Sequence, residues 1–276
     1  MKRIEATAKR AGLKTAYGFI YKLRIEKALA YRYDVFSGII MQCIVMFANA
    51  FFWRAIYSGY ETVKGAAVSD MLTYTIISSV MAVFLATGVE QRVMKSVEQG
   101  TVATDLLKPI PLYAIYFFEE LGTITASAML LALPILIVGG IFITAPLPAD
   151  AIHALLFAAS FLLSFLINWL FAALFSLLAF VTINMSPLLQ IKKHVLRLLS
   201  GGIIPIWFFP QWAQNLLRAL PFVYIYQLPL ELYIGRSSVS DALRQMGLQL
   251  FWVLILLIVF LYLQKQTMKK ILVQGG

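Results

Sequence analysis

A chain of 276 residues that is 61% hydrophobic and 13% charged, with mean hydropathy +0.83 and net charge +10, departs from the roughly 45–50% apolar, about 25% charged make-up of soluble domains. This excludes a soluble globular enzyme, and apolar runs without alternation exclude a transmembrane β-barrel. The single cysteine, Cys43, excludes an intramolecular disulfide.

The chain opens with a basic arm, residues 1–34, carrying Lys2, Arg3, Lys9, Arg10, Lys14, Lys22, Arg24, Lys27 and Arg32. It lacks the early apolar stretch of a cleavable signal. Between residues 13 and 33, Leu13, Tyr17, Ile20, Tyr21 and Leu29 alternate with basic residues, which predicts an amphipathic helix in the headgroup plane. From residue 35 to 276 the apolar runs predict a six-helix transmembrane domain, with spans at about 36–57, 71–89, 115–143, 151–183, 188–209 and 248–263. The fold class is thus all-α integral membrane. The fourth run exceeds the roughly 30 Å apolar core and must tilt or project. The fifth is interrupted by Gly201, Gly202 and Pro205.

Two further segments are not expected to span. Residues 90–98 form a short polar helix, closed by Gly100 in a left-handed conformation. Pro109 and Pro111 then keep it from running into the third span. Residues 210–235 are too polar to cross and too rich in aromatic and leucine residues for a free loop, so an interfacial or re-entrant hairpin is expected. With the N-terminus placed in the cytoplasm, the outer segments hold only Arg54, Lys64, Arg218, Arg236 and Arg244, and the remaining Lys and Arg fall inside. The positive-inside rule then predicts cytoplasmic N- and C-termini. It also accounts for the net charge through topology and anionic lipid, without nucleic acid.

The sequence contains no G-x-x-x-x-G-K-[ST], no H-E-x-x-H and no G-x-S-x-G. No cofactor or metal is therefore expected on this chain, and no catalytic residue. His153 and His194 fall on opposite sides of the predicted membrane. The acids near a span end are Glu119 and Glu120, about two turns into the third span. They suit a structural role facing a partner helix or vestibule, or a proton or substrate site. The residues by themselves leave open a transport subunit powered by another protein, an ion-coupled secondary transporter using Glu119 or Glu120, and a membrane scaffold.

Three stretches carry a resemblance: YRYDVF (31–36), VEQGTVATDLLKPIP (97–111) and LSGGIIPIWFFPQWAQNLLRALPFVYIYQLPLELYIG (199–235). Together with the order of elements, they resemble the permease subunits of ABC-2-type exporters, and are similar to a bacterial branch of uncharacterised ABC-2 family permeases. The resemblance implies a bacterial inner-membrane exporter subunit, forming its pathway as a dimer with an identical or sister permease. A separate cytoplasmic ATPase would carry ATP and Mg. It implies that the helix ending at Gly100 is an ATPase-coupling helix. Glu90, Arg92, Lys95 and Glu98 would make its polar contacts, and Val93, Met94 and Val97 its apolar ridge. Pro205, Pro210, Pro221 and Pro229 would fix the bends of an extracytoplasmic gate.

Overall fold

The computed structural model describes residues 15–27, 32–106, 110–182 and 185–274. The expectations for residues 1–14, and for Pro109 at the end of the cytoplasmic loop, lie outside the described residues. The amphipathic arm is helical over residues 15–27 (α1). It is followed by α2 (Arg32–Ile56) and a two-stranded hairpin, β1 (Thr62–Val63) and β2 (Ala66–Ala67). Next come α3 (Val68–Phe84), α4 (Val89–Glu98), α5 (Val102–Leu106), α6 (Leu112–Ser127) and α7 (Leu133–Phe142). The second half holds α8 (Ala151–Ser176), α9 (Ser186–Leu199), α10 (Gln211–Arg218), α11 (Gln227–Tyr233) and α12 (Val239–Gln274).

Among the described residues, five helical stretches are long and apolar enough to cross a bilayer: Phe36–Ile56, Val68–Glu98, Leu112–Phe142, Ala151–Phe180 and Val239–Met268. Two deviations from the expected spans have physical causes. Residues 188–209 are not one helix, because α9 ends at Leu199 and Gly201 turns the chain with φ 82° before a 3-10 turn at Ile206–Phe208. The last helix, at 36 residues, outruns its apolar run at both ends. At its start the Ser238 hydroxyl accepts from the Asp241 N–H at 3.2 Å, a side-chain cap that lets the polar first turns be helical.

The third span is continuous but not regular. Ala128–Ala132 forms a π-helical turn between α6 and α7. Pro134 explains it: a proline inside a helix has no N–H to give, and its ring crowds the preceding turn, so a wider turn absorbs the mismatch.

α8 is the central post. It packs against α12, α11 and α4, while α2, α3 and α7 form a second group beside it. Polar side chains in the apolar interior lock the post to its neighbours. The Ser160 hydroxyl donates to Gln249 Oε1 at 3.0 Å, and Gln249 Nε2 lies 2.9 Å from both the Ser160 and Tyr224 carbonyls. Ser164 donates to the Tyr224 carbonyl at 2.8 Å. Gln249 is fully buried, so it has no water to turn to.

Gln249→Leu removes the bonds that Gln249 makes and strands the Ser160 hydroxyl, while the Tyr224 carbonyl keeps its bond from Ser164. We expect a loss of about 1–3 kcal/mol, read as a lower thermal unfolding temperature in detergent, with membrane insertion unchanged.

Candidate functional site: an ion-paired helical joint

At one end of the bundle the chain gathers its short and polar helices. α3 stops at Phe84, and the break at 85–88 is held from two sides. Asn168 Nδ2 donates to the Leu85 carbonyl at 2.8 Å, and the Gly88 N–H donates to Glu120 Oε2 at 3.1 Å. These bonds satisfy backbone groups that the helix end leaves free. α4 then leaves the break as a separate, strongly amphipathic helix whose buried residues are Val89, Glu90, Val93 and Ser96.

Charges cross this joint. Arg92 of α4 donates to Glu119 Oε2 at 2.9 Å and to Glu120 Oε2 at 3.0 Å. Arg24 of α1 reaches Glu119 Oε1 at 2.8 Å. Glu119 and Glu120 of α6 thus bind α1 and α4 to the same point. Glu120 is only 1% exposed, and its Oε1 is without a partner. α1 is seated by more than charge. Tyr17 stacks on Phe118 at 4.4 Å, and the Tyr21 hydroxyl donates to Thr125 at 3.0 Å. Gly122 lets α1 approach, since a Cβ there would meet the Tyr21 carbonyl oxygen at 2.5 Å. On the other side of α4, Glu90 pairs with Lys192 of α9. Lys192 also lies 5.4 Å from the Phe175 ring centroid. The joint therefore ties α1, α4, α6 and α9 together.

The expected coupling residues divide into two sets. Glu90, Arg92 and Val93 face the protein's own bundle, Val93 with no exposed surface. Met94 and Val97 are partly buried against the core. Lys95, Glu98 and Gly100 lie on the open side with Gln91 and Gln99, and Gly100 has φ 69°. Beside them, a cleft of about 300 Å³ runs between α1, α4, α5 and the start of α6.

The four prolines lie along the segment between α9 and α12. Pro205 precedes the Ile206–Phe208 turn, Pro210 precedes α10, Pro221 starts the turn at Pro221–Tyr224, and Pro229 sits in the first turn of α11. Each is where a missing N–H costs little. Side-chain hydrogen bonds, rather than the prolines, hold the segment. The Tyr74 hydroxyl donates to the Gly201 carbonyl at 2.6 Å, Ser78 donates to the Gly202 carbonyl at 2.8 Å, and Gln227 Oε1 accepts from the Ile206 N–H at 2.9 Å. Arg236 stacks over Trp207 at 4.4 Å and donates to the Lys64 carbonyl at 2.7 Å. Asp150, at the start of α8, accepts from the His153 backbone N–H and ring, which holds its carboxyl below the usual carboxylate range.

Sequence reasoning missed Tyr74, Asn168, Lys192, Gln227 and Gln249. A signal was available for two of them: Asn168 and Gln249 are lone amides inside apolar runs, and polar residues at membrane depth need a stated partner.

Long apolar helices around a central post, with short polar helices ion-paired at one end, define a polytopic membrane protein. The chain belongs to the ABC-2 family of transporter proteins, whose family profile matches residues 43–275, and it is thus the membrane domain of an ABC transporter. No curated protein and no solved structure matches it.

Arg92→Met leaves Glu120 buried and unpaired, and breaking a buried pair costs about 3–5 kcal/mol. We expect a markedly lower unfolding temperature. Most of the loss should return in Arg92→Met/Glu120→Gln, where both charges are gone and a side-chain oxygen still accepts from the Gly88 N–H. Thermal unfolding of the two variants in one detergent checks this.

Proposed function

We propose that the chain is the permease subunit of a bacterial ABC exporter, pairing with a second permease and driven by a separate cytoplasmic ATPase that holds the ATP and Mg. The observation that carries this reading is the joint. α4 has one face fixed to the bundle through Glu90 and Arg92 and the other face open. A push on that open face is transmitted through the ion pairs to α1, α6 and α9 as a rigid-body movement, because packed interfaces shift as units rather than deform. The docking face is Gln91, Lys95, Glu98 and Gln99. The same anchoring leaves Glu119 and Glu120 committed to arginines, which disfavours an ion-coupled carrier built on them.

In this reading the chain crosses the inner membrane six times, with both ends cytoplasmic. Residues 186–208 make the fifth crossing. Their support is that Ser186 lies against Met94 at the joint, while Phe208 lies against Trp53 and Trp207 under Arg236 at the opposite end. Residues 210–233 form the re-entrant outer hairpin. Phe222 stacks on Phe171 inside the bundle, and Tyr233 returns to the Pro146 carbonyl at 2.6 Å. The outward apolar side of α2, including Met41, Ile44 and Phe51, faces lipid or the second permease.

Two measurements test the reading. Lys95→Glu/Glu98→Lys reverses the open face of α4 without touching its anchors. It should abolish co-purification of the ATPase and ATP-driven transport while leaving thermal stability unchanged, and retained transport would remove α4 from coupling. In a background carrying Cys43→Ala, Lys95→Cys should react with an impermeant maleimide only in inside-out vesicles, and Lys64→Cys only in right-side-out vesicles. The reverse pattern would invert the topology.

A further inference from the structure

Next to the joint lies a cavity of about 410 Å³, lined by residues of α2, α3, α4, α6, α8 and α9 and by Tyr226. Its size is that of a small-molecule site, roughly 300–1,000 Å³. Two features set its chemistry.

The first is the orientation of α9. Leu188, Ile191, Val195 and Leu198 are exposed on one side of that helix, whereas Leu189, Lys192, Lys193, Leu196 and Arg197 line the cavity. A helix on a soluble protein turns its charges outward. α9 instead sets Lys192 and Arg197 toward the cavity, with Lys193 exposed beside them, and leaves its apolar side uncovered.

The second is the charge balance. The cavity's one acid among its described lining residues is Glu90, and it is already paired with Lys192. Lys193 and Arg197, four residues apart and so on one face of α9, have no ion pair among the described residues. Arg197 Nε is buried with no hydrogen-bond partner. The Arg197 Cγ lies against Gly202, as does the ring of Tyr226. A guanidinium without an ion pair, partly enclosed in a membrane bundle, marks a place for a counter-charge.

We propose that this cavity is the loading site for the transported molecule, an amphiphile with a phosphate, sulfate or carboxylate head that docks on Arg197 and Lys193. This rests on the permease reading above. Arg197 supplies the fork geometry that suits such oxyanions. Leu85, Ile124 and Leu131 receive the apolar body. Lys193, nearer the rim, draws the anion in, and Arg197 holds it.

The test uses the full chain in phosphatidylcholine nanodiscs without its ATPase. Dodecyl phosphate binding is read by thermal stabilisation across a titration, with dodecyltrimethylammonium as the opposite-charge control. We expect saturable stabilisation by the phosphate and none by the ammonium. Arg197→Gln should weaken binding roughly 10- to 100-fold, the worth of a charge-assisted hydrogen bond. Lys193→Gln should weaken it less, and Arg197→Lys should retain most of it, which separates charge loss from misfolding. Equal binding by wild type and Arg197→Gln, or tighter binding of the ammonium, overturns the proposal. In a parallel arm the discs are doped with phosphatidic acid. Competition against added dodecyl phosphate assigns the head to a membrane lipid, and none assigns it to an amphiphile entering from water. Because the ATPase is absent, anion binding by a chain that never co-purifies with an ATPase would leave the site standing and sink the permease reading. ATPase co-purification without anion binding would do the opposite.

Discussion

A peptide group without a partner in hydrocarbon costs several kcal/mol, and the chain from Ser200 to Gly235 is full of groups that no long helix can satisfy. It turns at Gly201, passes through two 3-10 turns and starts two short helices. It can be held inside the bundle because side chains from regular helices reach it. Tyr74 and Ser78 on α3 serve Gly201 and Gly202, and Ser164 on α8 with Gln249 on α12 serves Tyr224. Gln227 acts from within the segment itself, accepting from the Ile206 N–H while its own N–H bonds the Ser200 carbonyl at 2.9 Å. The regular helices are thus polar where the irregular segment needs them, and apolar elsewhere.

The same logic governs the joint at the other end. The break between α3 and α4 exposes a carbonyl at Leu85 and an amide at Gly88, and Asn168 and Glu120 answer them. Once Glu120 is committed there, its charge needs a cation, and Arg92 one turn into α4 supplies it. Arg92 also bridges to Glu119, which brings in Arg24 and α1. A local need for backbone hydrogen bonds therefore becomes a mechanical linkage among four helices. The residues that stabilise the joint are thus also the ones that link its helices, and the open face of α4 is free of them.

Much of this was legible in the chain. The five long helices fall on apolar runs, α4 begins beside Glu90 and ends at Glu98 ahead of Gly100, and the aromatic-rich stretch after Pro210 is built of short helices and turns. These follow from local rules: hydrocarbon solvent selects continuous apolar runs, glycine alone takes positive φ cheaply, and proline stops a helix it cannot join. The extent of α12 was not legible, because Ser238 caps a polar first turn and the helix simply continues past its apolar run. Nor was the inward side of α4. The family resemblance implies that Val93 is part of an apolar ridge, and Val93 is wholly enclosed in the fold.

By itself the sequence determined that the protein lives in a bilayer, where its apolar runs lie and where the chain must bend, since each depends on residues near one another in the chain. The tertiary structure alone decided which partners the polar residues find. Glu90 meets Lys192 across 102 positions, and Asn168 meets Leu85 across 83. In an apolar medium each buried polar group must be matched to a particular partner, and a partner that distant is specified by packing rather than by any pattern along the chain. The cavity beside α9 is of the same kind, because residues 188–209 read as an interrupted fifth span in sequence, and only the neighbours of α9 fix which of its faces turns inward.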